Sequence, residues 1–281
     1  MLTKLINDNN KQFPSLAFGL GIQLDNDYVT RILLMSFLLL CGITIILIPG
    51  YYFENRELNN YPIWEKPIKF SIALAMHFLT LAILAQQLKL SRRTSMLLTF
   101  FVYLSVISMI FEQGYITIQA ARGHHSHFNV ETPFEALMYN FMGIGAVNLI
   151  LVSFVLGVLI LKHGNKDSSG LRLGSILGLT LGSLLTLIYA MTMGNSPSHL
   201  VGEAISNNKV PILGWSREVG DLRIPHFIAT HMMQVLPLLG FILDKFKFSP
   251  KIIVSIATLF LVMISVLFFN WALIGKPVFS L

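Results

Sequence analysis

An all-α polytopic membrane bundle of about seven transmembrane helices is the fold this sequence predicts, on three observations. Only 12% of its 281 residues are charged, 54% are hydrophobic, and mean hydropathy is +0.68. Soluble domains carry roughly 25% charged residues, so about half the usual charge is missing. The apolar residues fall in runs of about 20, enough to cross ~30 Å of hydrocarbon at 1.5 Å per residue. Short polar connectors separate the runs, a pattern suited to a bilayer and not to one very large soluble core.

The predicted spans are 31–49, 67–87, 95–119, 134–161, 172–193, 225–244 and 252–273. Pro49-Gly50 is expected to close the first, and Pro67 and Pro225 suit a first helical turn. The fourth begins after Thr132-Pro133. Residues 1–30 read as a cytoplasmic N-terminal segment and 31–281 as a single transmembrane domain. Lys4, Asp8, Lys11, Asp25 and Asp27 lie ahead of the first apolar run, so no cleavable leader is expected and that run serves as the membrane signal. The single cysteine, Cys41, forms no intramolecular disulfide and supplies no cysteine-based metal cluster.

Lysine and arginine on alternate sides number 12 against 8, together the chain's 20. The richer side holds Lys4, Lys11, Arg31, Lys89, Arg92, Arg93, Lys162, Lys166, Arg172, Lys245, Lys247 and Lys251. Basic residues collect in cytoplasmic loops, so the N-terminus is expected inside and the C-terminus outside. The net charge of +6 needs no nucleic-acid partner to explain it. In the fifth span Gly174, Gly178 and Gly182 form a small-residue stripe that lets a helix approach closely. Packing within the bundle suffices to explain it, and a homo-oligomer contact is the alternative.

With that orientation the segments near 50–66, 120–133 and 194–224 face outward and hold most of the conspicuous polar residues. Ser105, Ser108, Glu112, Tyr115, Gln119 and Arg122 are spaced 3, 4, 3, 4 and 3, so they share one face of the third span. Glu112 lies roughly 10 Å below the outer helix end, where a carboxylate is a functional candidate unless it serves as neutral packing glue. His226 and Gln234 share a face of the sixth span. His231 is about 140° round from His226, so the pair does not grip a metal as an i, i+4 set does. His77 lies mid-membrane, a haem or metal ligand, a proton relay, or a satisfied core histidine. Glu135 and Tyr139 share a face at the start of the fourth span, where a solvated acid is the plainer reading. His127, within Gly123-His-His-Ser-His, and His199, in the long loop, are metal candidates or simply solvated. Trp64-Glu-Lys66-Pro67-Ile-Lys69 reads as an interfacial anchor with snorkelling lysines, and no chemistry is assigned to it.

Three segments carry a resemblance: Trp64-x-Lys66-Pro67-x-Lys69-Phe70; Gln119-Ala-x-Arg122-Gly123 with Ser126-His127-Phe128-Asn129; and Gly214-Trp215-Ser216 with Gly220-Asp221-Leu222-Arg223-x-Pro225-His226-Phe227. Together they resemble a family of bacterial multi-pass membrane proteins without an assigned activity. The resemblance implies a bacterial inner-membrane setting and says nothing of reaction or cofactor.

Three functional readings follow. One is a transition-metal or haem protein, redox or hydrolytic, with His226, His231, His127 and His199 as metal ligands, Glu112 as a catalytic acid and His77 as a haem ligand. The second is a transporter or sensor that binds a small or lipid-like ligand in the same pocket, with Tyr115, Gln119, Arg122, Glu135, Tyr139 and Gln234 around it. The third is a structural or partner-binding membrane protein.

Overall fold

The computed structural model describes residues 27–58, 61–206, 208–247 and 249–279. Its elements in order are α1 (Tyr28–Phe53), β1 (Glu57–Leu58), β2 (Tyr61–Pro62), α2 (Glu65–Ala85), α3 (Leu90–Arg93), α4 (Met96–Arg122), α5 (Pro133–His163), α6 (Ser169–Gly194), β3 (Leu200–Val201), β4 (Gly220–Asp221), α7 (Arg223–Lys245) and α8 (Pro250–Leu273). Among the described residues seven helices are long and apolar enough to cross a membrane, all of these except the one-turn α3. The chain is a multi-pass membrane protein. Most of the predicted cytoplasmic segment 1–30, with Lys4 and Lys11, lies outside the described residues.

Six of the seven spans run longer than expected, α2 keeps its length but lies two residues earlier, and one helix end is corrected. Pro49-Gly50 does not close the first helix, which continues to Phe53 with the Glu54 amide bonded back to the Gly50 carbonyl. Proline removes one donor and forbids one carbonyl contact, and a single such loss in a long apolar helix is tolerated. Gly50 also admits the Trp64 ring, which a Cβ there would meet at 2.9 Å. Pro67 and Pro225 do fall in first turns.

Successive long helices pack on one another along the chain, and α2 also packs on α4. The α6–α7 contact is the closest. Gly170, Gly174, Gly178 and Gly182 of α6 lie against Gly240, Leu236, Met232 and Ala229 of α7. A Cβ at Gly178 would sit 2.5 Å from the Met232 carbonyl oxygen. The small-residue stripe is thus covered by the chain's own α7. Pro237 lies inside α7 and rests its Cδ over Gly178, so the stripe also accommodates that ring.

At one end of the bundle Arg93 and Asp27 form a buried ion pair at 2.6 Å. Asp27 caps α1 through the Thr30 amide, and Gln86 joins the cluster through Thr30 and Arg93. At the same end Asp244 of α7 accepts the Gly170 and Leu171 amides that open α6. A carboxylate there satisfies orphan amides and meets the positive end of the helix dipole. The opposite end gathers the β1–β2 hairpin, residues 123–132 and residues 195–222.

Candidate functional site

The long connection touches both of the others, through Lys209 on Tyr61 and His199 beside Phe128, and the hairpin also meets the end of α4. The Arg56 guanidinium donates to the Ala121 carbonyl at 3.0 Å, Lys69 donates to the Ile212 carbonyl, and Lys209 lies 4.4 Å over the Tyr61 ring. The long connection is itself ordered. Its ends pair as β3 and β4, and the Leu222 amide donates to the His199 carbonyl. Asp221 accepts from the Ser216 and Arg223 amides and from the Arg223 guanidinium. Glu218 gathers the amides of Ile205, Ser206 and Asn208 and the Ser206 hydroxyl, and these bonds hold its carboxyl down at about 2.

Residues 123–132 are turned back over the bundle by the end of α4. Gly123 adopts φ 73°, the left-handed cap that glycine accepts without a Cβ penalty, and the His124 amide closes onto the Gln119 carbonyl at 2.9 Å. That fold brings the His125 carbonyl onto Gln119 Nε2. Phe128, a non-glycine residue at φ 55°, spends local strain to aim its ring between Tyr139 and His199. His127 precedes it, and its Nδ1 lies 3.1 Å from Lys66 Nζ.

An ammonium can only donate, so Nδ1 of His127 accepts and its ring proton sits on Nε2. Burial first, then the charge of Lys66, hold the His127 ring well below its ordinary range. Lys66 is exposed to solvent, with the His127 ring beside its ammonium. It projects from the first turn of α2, which the Gln113 side chain ties to α4 by donating to the Pro67 carbonyl. The anchor reading of Trp64–Lys69 is therefore corrected at Lys66, whose ammonium turns to His127. Beside it a separate groove of about 340 Å³ is lined by Tyr51, Tyr61, Glu65, Ile68, Lys69 and Ile212. Its two charges pair with each other.

Glu112 lies below, 1% exposed, and feels the Lys66 charge. Its carboxylate rests against α5 where Gly145 has no side chain, since a Cβ there would stand 2.7 Å from Oε1. The Ala146 backbone meets it, while Oε1 has no hydrogen-bond partner. The polar stripe of α4 does face the interior: Ser105, Ser108, Tyr115 and Gln119 are buried with Glu112, and Arg122 reaches back to Gln119 Oε1 at 2.9 Å.

Other candidates have structural partners. Glu135 is 5% exposed, donates its amide to the Thr132 N-cap hydroxyl and accepts that hydroxyl's hydrogen at its carboxylate, which corrects the reading of a solvated acid. The Tyr139 hydroxyl donates to the Gly194 carbonyl, fastening α5 to α6. His231 Nδ1 lies 2.8 Å from the Phe227 carbonyl, with its ring stacked on Phe227. His226 meets the Thr186 backbone and leaves Nδ1 unpartnered, as Gln234 leaves Oε1. His77 is buried against the Leu149 backbone of α5, with Nε2 unpartnered. Among the described residues no three His, Cys, Asp or Glu side chains converge as metal ligands. His127 and His199 lie in the loops, joined through the Phe128 and Tyr139 rings, whereas His226 and His231 sit along α7.

No protein-family model, curated protein or solved structure matches the chain.

Lys66, Pro67 and Gln113 are what sequence reasoning missed, although the first two lie inside the Trp64–Phe70 motif. The loop histidine His199 contributes to the pH response. Burial, then the positive charges of Arg223, Lys66 and Lys209 against an opposing Asp221, lower His199 to about 4. An unfolded histidine titrates near 6.5, so the unfolded chain binds the extra proton first as pH falls. The contribution of His199 is fully present above about 6.5 and is lost as pH falls through about 4. Thermal melts between those limits are expected to fall with acidification, and His199→Asn flattens that dependence.

Proposed function

We propose that the chain is a bacterial cytoplasmic-membrane transporter or sensor whose loop-bearing end faces out of the cell and binds a small anionic ligand. The 12-to-8 imbalance of basic residues supports the orientation, and the motif resemblance supports the bacterial setting. The observation that carries the ligand class is Lys66. Its ammonium has three donor hydrogens, and one is directed at His127. Among the described residues no carboxylate forms an ion pair with it. A solvent-accessible ammonium without an ion partner is free to meet an anion from solution. A carboxylate or phosphate that reaches the ammonium supplies one, with the His127 Nε2–H as a further donor beside it. The four metal-candidate histidines do not form one donor set, so the metal reading takes second place.

Purified protein in detergent, titrated with inorganic phosphate, sulfate and short mono- and dicarboxylates, tests this by thermal unfolding. At least one anion raises the melting temperature of the wild type by a few degrees, as ~100-fold excess over Kd adds about 2.7 kcal/mol. Lys66→Gln abolishes that rise. Equal stabilisation of Lys66→Gln, or no response to any anion, overturns the reading.

A further inference from the structure

The groove beside Lys66 has no part in the anion reading, and its walls carry both charge and apolar surface. Tyr51 stands in the last turn of α1, Tyr61 belongs to the β1–β2 hairpin, and Glu65, Ile68 and Lys69 open α2. Ile212, in the long connection, completes the wall. At about 340 Å³ the groove falls within the size range of small-ligand sites. Here α1 ends and α2 begins, so the groove lies at the membrane surface, where tyrosine rings gather.

Its charges do not balance. Lys69 donates to Glu65 and to the Ile212 carbonyl, which leaves the third hydrogen of its ammonium without a partner among the described residues. The Lys209 ammonium stands 4.4 Å from the centre of the Tyr61 ring, and among the described residues no carboxylate pairs with it. Two ammoniums against the single Glu65 carboxylate leave one positive charge.

Below the groove, α2 presents apolar surface to lipid. Glu65, Lys69, Ile72 and Met76 are spaced 4, 3 and 4, so they share one face of that helix. Ile72 and Met76 are both exposed, and from Lys69 to Met76 the track descends about 10 Å into the hydrocarbon. A charged mouth above an apolar track is the profile of an amphiphile and not of a soluble anion.

We propose that this groove binds one phospholipid from the leaflet on the loop-bearing side, and that it selects an anionic lipid with a hydroxylated headgroup, of the phosphatidylglycerol class. The phosphodiester meets the third hydrogen of Lys69 and the unpaired charge of Lys209. Headgroup hydroxyls donate to Glu65, and one acyl chain lies along Ile72 and Met76. An ammonium-bearing headgroup brings a further cation to a mouth already positive by one, so phosphatidylethanolamine and phosphatidylcholine bind less well. The site shares no residue with the Lys66–His127 pair.

Native mass spectrometry of the full chain, delipidated in detergent and titrated with single phospholipids of matched acyl chains, tests it. One phosphatidylglycerol is expected to bind about fivefold more tightly than either of the other two lipids, the effect of one lysine charge at a membrane surface. Lys69→Gln and Lys209→Gln each erase that preference, whereas Lys251→Gln, in the first turn of α8, keeps it. Glycerol phosphate, which lacks acyl chains, does not compete at the same concentrations. Equal retention of the three lipids, a wild-type preference in either groove variant, or full competition by glycerol phosphate overturns the proposal. Lys66→Gln is expected to keep the lipid preference even though it abolishes the response to soluble anions. If it loses the preference, the lipid belongs to the Lys66 site and the groove reading falls.

Discussion

Arg93→Met lowers the stability of the folded chain by roughly 3–5 kcal/mol, the cost typical of leaving one member of a buried ion pair unmatched. Asp27 is fully buried and Arg93 nearly so, and their 2.6 Å contact is the centre of a cluster with Thr30 and Gln86. Methionine fills the space of the arginine stem but offers no charge and no donor for Gln86 Oε1 or the Leu88 carbonyl. The double variant Asp27→Asn with Arg93→Met recovers most of the loss. Asparagine remains a good N-cap for the Thr30 amide and carries no charge to strand. Chemical unfolding in mixed micelles reads both. A loss under ~1 kcal/mol for Arg93→Met would mean that the pair behaves as an exposed one.

Gly178→Leu is the second large effect, about 3 kcal/mol or more, because the clash is with backbone that cannot rotate away. The Met232 carbonyl oxygen and the Pro237 ring both stand where a side chain would go. The same unfolding assay is expected to give a graded series, Gly178→Ala less damaging than Gly178→Leu. A Cβ at Gly143 would have nothing within 4 Å, so Gly143→Ala serves as the neutral control. Equal effects of the two alanine variants would show that helix propensity, which favours alanine over glycine, and not the α6–α7 approach, decides the outcome.

How much of the fold and site is legible in the sequence differs from residue to residue. Glu112 stands out because a carboxylate in an apolar run conflicts with its surroundings, and its α4 stripe repeats with the helical period. Glu135 reads wrongly as a solvated acid, yet Thr132-x-x-Glu135 ahead of an apolar run is a capping-box signature that points to its buried, bonded state. Lys66 is invisible for a different reason. Tryptophan and lysine at a helix start look the same whether the lysine snorkels to headgroups or turns inward. The choice is made by His127, 61 residues further along the chain.

The sequence by itself determined the seven spans, the small-residue face of α6 and the burial of a polar stripe on α4. Each follows from local spacing and from the cost of placing polar groups in hydrocarbon. Tertiary structure alone decided what covers the glycine stripe, which atoms of Glu112 and His77 stay unpartnered, and that Lys66 meets His127. Those facts depend on which helices become neighbours and how a capped helix end redirects its loop. Contacts between residues far apart in the chain leave no periodicity to read.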